Sequence, residues 1–83
     1  MKLSQGLLMK LSKKYQPSSM VEMKFKGRDL SFRTDDEGNP VVLFIGKSLG
    51  DGRIKGERYV RTLLRNAQGF FIKDHWDLKG KAG

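Results

Sequence analysis

Apolar residues at the start of the chain recur three and four positions apart, with Leu3, Leu7, Leu8, Leu11 and Tyr15 on one side and lysines mostly elsewhere. That period is one face of an α-helix. It predicts a helix over residues 3–15, within a helical segment 1–16, capped by Ser4 and stopped by Pro17. From Val21 the period drops to two. Val21-Glu22-Met23-Lys24-Phe25-Lys26 and Asp29-Leu30-Ser31-Phe32-Arg33 alternate apolar with polar, as strands with one wet face do. Gly27-Arg28 between them suits a two-residue turn, which sets Phe25 opposite Leu30, Met23 opposite Phe32 and Glu22 opposite Arg33.

Val41-Val42-Leu43-Phe44-Ile45 is the most apolar run and predicts a central strand with both faces partly covered. Asp51-Gly52 predicts the next hairpin centre, with Leu49 opposite Ile54, Phe44 opposite Tyr59 and Leu43 opposite Val60. Gly56 in mid-strand predicts a bulge or bend. Tyr59 to Leu64 and Phe70 to Ile72 are rich in aromatic and β-branched residues, and Asn66-Ala67-Gln68-Gly69 between them fits a type I turn closed by a glycine at positive φ. Setting Arg65 opposite Phe70 then pairs Leu64 with Phe71, Arg61 with Asp74 and Tyr59 with Trp76.

These elements predict one α+β, mainly β domain over residues 1–83: an N-terminal amphipathic helix packed on a curled five-stranded antiparallel meander. The sheet spans 21–77, with strands near 21–26, 29–34, 41–47, 53–65 and 70–77, followed by a flexible tail at 78–83. Its core face is expected to hold Met23, Phe25, Leu30, Phe32, Leu43, Ile45, Val60, Leu64 and Phe71, covered by Leu7, Leu8 and Leu11. If the helix leaves part of the sheet bare, a second copy is the expected cover, because small domains gain core by association.

Charge adds a functional direction. The net +8 is uneven: residues 1–20 carry four lysines and no acid, 21–50 five bases and five acids, and 51–83 eight bases against four acids. A chain basic at both ends attracts polyanions. No run approaches the ~20 apolar residues that span a bilayer, so no membrane span is expected, nor is a signal peptide expected at Met1-Lys2-Leu3. With no cysteine, disulfides, thiolate metal sites and cysteine nucleophiles are excluded, which suits a reducing cytoplasm.

Candidate chemistry is sparse. Asp35-Asp36-Glu37-Gly38-Asn39 offers oxygens, but a helix-flanked calcium loop starting at Asp35 needs glycine at its sixth position and glutamate at its twelfth, where Pro40 and Gly46 stand. Gly46-Lys47-Ser48 lacks the earlier glycine of a phosphate-binding loop, Val41 standing in its place. His75 is the only histidine, and on a strand its neighbour Asp74 points to the other face. No cofactor, metal or small-molecule substrate is expected, and the protein is expected not to be an enzyme. The functional expectation is a small binding module for nucleic acid, single-stranded rather than duplex. Arg53, Lys55, Arg58, Arg61 and Arg65 would meet phosphates, while Tyr59 and Trp76, in line with Phe44, would stack on bases. A protein-interaction or self-associating module is the alternative.

Overall fold

A computed structural model describes residues 3–82, and for Ala82 the backbone alone. One helix, α1 (Gln5–Leu11), precedes five strands, β1 (Met20–Phe25), β2 (Arg28–Thr34), β3 (Pro40–Ser48), β4 (Ile54–Arg65) and β5 (Phe71–Ala82), which form one antiparallel sheet in the order of the chain. Ser4 caps the helix, accepting the Leu7 N–H at 3.3 Å. The helix is shorter than the periodicity predicts: Ser12 turns its hydroxyl back onto the Leu8 carbonyl, and the chain leaves the helix there. The helical expectation at residues 1–2 lies outside the described residues, as does the tail residue 83.

Leu7 and Leu11 are buried in one cluster with Leu30, Phe32, Leu43, Ile45 and Tyr59. Val21, Met23, Phe25 and Trp76 pack against that cluster, and Tyr15 meets Phe32 edge to face with ring centroids 4.9 Å apart. Gly6 lets the helix come close, for a Cβ there would stand 3.1 Å from the Phe25 ring.

The turns fix how the strands register. Between β1 and β2 the turn is Lys26-Gly27, both at positive φ, rather than Gly27-Arg28. Met23 therefore faces Leu30 and Val21 faces Phe32, a shift of two residues from expectation that leaves every side chain on its expected face. The turns after β2 and β4 share one construction. Asp35 and Asn66 each accept two backbone N–H groups, from Glu37 and Asn39 and from Gln68 and Phe70, and Gly38 and Gly69 close the turns at φ 87° and 88°.

The β3–β4 connection overturns a sequence expectation. Gly50 and Gly52 both take positive φ, and the Leu49 N–H donates to Arg53 O, so three residues, not two, form the turn. The extra residue slips the register by one: Leu43 faces Tyr59 and Phe44 faces Arg58. A slip of one exchanges faces. Tyr59 consequently replaces Val60 in the core, while Val60, Leu64 and Phe71 lie outside the buried cluster, with Leu64 and Phe71 44–49% exposed. Opposite glycines, Gly46 and Gly56, let β3 and β4 approach where a Cβ on either would sit within 2.1 Å of the other strand's carbonyl oxygen.

Bulges at Leu64/Arg65 and at Arg58/Tyr59 set β4 against β5, with Leu63 opposite Asp74, Arg61 opposite Trp76 and Tyr59 opposite Leu78. The expected tail is corrected through residue 82: those residues continue β5 and pair with Gly56 to Tyr59, because β4 runs on to Ile54 and offers them backbone partners.

Candidate functional site

The residues expected to form one binding face are divided by the register. Tyr59 is 2% exposed, and burial, with the Glu57 charge nearby, raises its phenol above the ordinary range. The Arg61 side chain is 8% exposed and fully engaged. Its Nε and Nη2 donate to Asp74 Oδ1 and Oδ2 at 2.6 and 2.7 Å, and its Nη1 donates to the carbonyls of Leu11 and Pro40 at 3.0 and 3.1 Å. Trp76 lies half-buried with the guanidinium 5.5 Å from its ring. These three residues hold the core together: α1, β3, β4 and β5 meet at Arg61. The guanidinium in turn holds the Asp74 carboxyl below its usual range.

Arg65 stands at the far hairpin, 4.2 Å over the Phe71 ring and paired with Glu37. Lys55 is exposed opposite Lys47, on the same face of the strand as Tyr59. Of the expected set, Arg61, Tyr59 and Trp76 gather in or against the core, and only Arg53 and Arg58 share an open cleft.

They do so on the face opposite the buried cluster. There Arg33, Arg53 and Arg58 surround Phe44, Val42 and Ile54 in an open cleft of about 540 Å³, with Met20 at its edge. The strands dictate this grouping: Phe44 lies between Ser31 on β2 and Arg58 on β4, and Arg33 lies opposite Val42 one step along. Arg53 arrives from the turn, where its Nε donates to Asp51 Oδ2 at 2.8 Å while its backbone N–H donates to Oδ1, and together these lower the Asp51 pKa. Among the described residues, neither Arg33 nor Arg58 forms an ion pair. Two uncompensated guanidinium groups beside a half-buried ring suit a ligand that is flat and anionic.

Arg33 is the residue that sequence reasoning misses, having been assigned to Glu22 as a cross-strand partner; Glu22 instead faces Ser31, and Met20 faces Arg33. Phe44, expected in line with Tyr59 and Trp76, lies on the opposite face of the sheet from Tyr59. Of the other candidates, His75 holds Asp77 at 2.8 Å along its own strand, and both are exposed at the ring and carboxylate. Asp35 spends its carboxylate on its turn. Among the described residues no three metal-ligating side chains gather, and no helix is long and apolar enough to cross a membrane. No family model, curated protein or solved structure matches the chain.

Proposed function

We propose that the protein is a small non-enzymatic module that binds nucleic acid, single strands in preference to duplex, through the cleft around Phe44. The supporting observation is the convergence of Arg33, Arg53 and Arg58 on one half-buried aromatic ring. A base stacks on the Phe44 ring while the flanking phosphates meet the guanidinium groups, a division of labour in which stacking contributes about 1–3 kcal/mol per base. The net charge of +8 draws the polyanion in. In this reading α1 serves as the cover on the far side of a curled sheet and leaves the arginine face to the ligand. The reducing cytoplasm is the compartment we assign, consistent with the absence of cysteine.

The test is titration of fluorescently labelled single-stranded and duplex oligonucleotides, read by anisotropy across salt concentrations. Affinity should fall steeply with salt, and Arg33→Gln and Arg58→Gln should each shallow the slope of log K against log salt by about 0.7, the value for one phosphate contact on a single strand. Phe44→Leu, which keeps an apolar side chain against the sheet, should weaken binding to single strands with little change in slope. Arg65→Gln, far from the cleft, should change neither. Absence of salt-dependent binding to either nucleic acid overturns the proposal, as does full binding by the Arg33→Gln/Arg58→Gln double variant.

A further inference from the structure

We infer that β5 is a homodimer edge, along which two copies pair antiparallel over residues 72–78 about a twofold axis at His75. β5 ends the strand order, so among the described residues one side of its backbone has no strand beside it. Its large apolar side chains are uncovered: Ile72 is 66% exposed, Phe71 44% and Leu78 42%, with Phe70 at the entry 70%. An unpaired strand edge with exposed apolar residues is a template for another strand.

The chemistry of the edge selects the strand that fits it. A twofold along the sheet normal keeps like faces together and so passes through a residue. With the axis at His75, Lys73 faces Asp77 of the partner subunit and Ile72 faces Leu78 of the partner subunit, and symmetry makes each pair twice. Lys73, His75 and Asp77 share one face of β5, opposite Leu64, Thr62 and Val60, while Leu78 lies on the Tyr59 side and Ile72 is the extra residue at the Leu64/Arg65 bulge. Charge therefore meets opposite charge on the face that carries Lys73 and Asp77. Moving the axis to Asp74 sets the two Asp74 carboxylates against each other, and moving it to Trp76 sets Lys73 against Lys79. Of the three axes, only the one at His75 sets Lys73 against an acid. The other edge, β1, is half as long, and its Val21, Met23 and Phe25 already pack against the buried cluster.

The Phe44 cleft draws on β2, β3, β4 and the turn at Arg53, so pairing through β5 leaves it open. Dimerisation and nucleic-acid binding can thus fail separately. Sedimentation velocity over a wide concentration range should show a monomer–dimer equilibrium. Lys73→Glu and Asp77→Lys should each raise the dimer dissociation constant about tenfold or more, since two symmetric pairs turn repulsive, and the double charge swap should restore it. These side chains are solvent-facing, and the variants should retain the wild-type circular dichroism. In a chain without cysteine, oxidised His75→Cys should cross-link to a covalent dimer, whereas Lys79→Cys should not. A monomer at every concentration, a dimer indifferent to the single swaps or not rescued by the double, or equal cross-linking at both positions overturns the inference.

Discussion

Replacing Arg61 by Met should destabilise the fold by about 2–4 kcal/mol, and the source of that loss is specific. The guanidinium makes four hydrogen bonds, two to Asp74 and one each to the carbonyls of Leu11 and Pro40. Met fills the volume of the arginine stem and removes the need to desolvate a charge, so the ion pair itself contributes little to the difference. Asp74 is 45% exposed, which further screens the pair. What remains is the two carbonyls, on residues withdrawn from water, left without their donor. Each such orphan costs about 1–3 kcal/mol, reduced where the backbone relaxes or a water enters.

A domain of 83 residues has a total stability of roughly 4–12 kcal/mol, so the loss is a large share. Urea unfolding followed by circular dichroism should show a lower midpoint with an unchanged slope. Asp74→Asn should cost only about 1 kcal/mol, because the amide oxygen still accepts a guanidinium bond and both Arg61 carbonyl contacts survive. An Arg61→Met variant within about 0.5 kcal/mol of wild type, the usual range for surface substitutions, would mean that the Leu11 and Pro40 carbonyls do not depend on the guanidinium. So would an Asp74→Asn variant less stable than Arg61→Met.

Acid should unfold the protein through particular carboxylates. Asp74 is depressed by its Arg61 bonds; at Asp35 burial raises the carboxyl, but bonds from Asn39, Glu37 and Gly38 outweigh it, so both fold with lowered pKa values. Their contribution is present above the ordinary carboxylate pKa of about 3.9 and is lost as pH falls through the lower folded values. Asp74→Asn should flatten that part of the acid-unfolding curve followed by circular dichroism. Gly56→Ala should destabilise by about 1–3 kcal/mol or more in the same urea assay, because its Cβ would meet Ile45 O at 2.0 Å, whereas at Gly27 no atom lies within 4 Å and only the positive φ of 80° resists alanine. Asn66→Ala removes the acceptor for the Gln68 and Phe70 N–H groups and should lower stability by about 1–2 kcal/mol, measured by thermal melting.

Element type and order are legible in the sequence because β1 and β2 announce themselves by alternation, β3 by its apolar run, β4 and β5 by aromatic and β-branched residues, and each turn by glycine. The registers are not equally legible. A hairpin's register depends on which residues its turn uses and on how many: Lys26-Gly27-Arg28 offers two different two-residue turns, and Gly50-Asp51-Gly52 a turn of two or of three. At β1–β2 and at the middle of β4–β5 the difference is two residues, so faces survive and Trp76 stays on the Tyr59 side. At β3–β4 it is one residue, and the aromatic line through Phe44, Tyr59 and Trp76 divides. One clue lies in the residues themselves. With Leu43 and Ile45 in the core, either Val60 or Tyr59 must join them, and the larger ring removes more apolar area from water.

That division also sorts the positive charge. On the core side Arg61 answers Asp74 and Arg28 approaches Glu57 at 3.6 Å, so these cations are partly neutralised within the chain. Opposite them, Arg33 and Arg58 have no such counterpart among the described residues and share an apolar floor with Phe44 and Ile54. Arginines that tie the fold together and arginines open to a ligand therefore occupy opposite faces of one sheet. Neutralising Arg61 should change stability while leaving the salt slope of binding untouched, and neutralising Arg58 should do the reverse. A variant series in which the two effects travel together would mean that the arginines of the cleft are structural, whatever anion they attract.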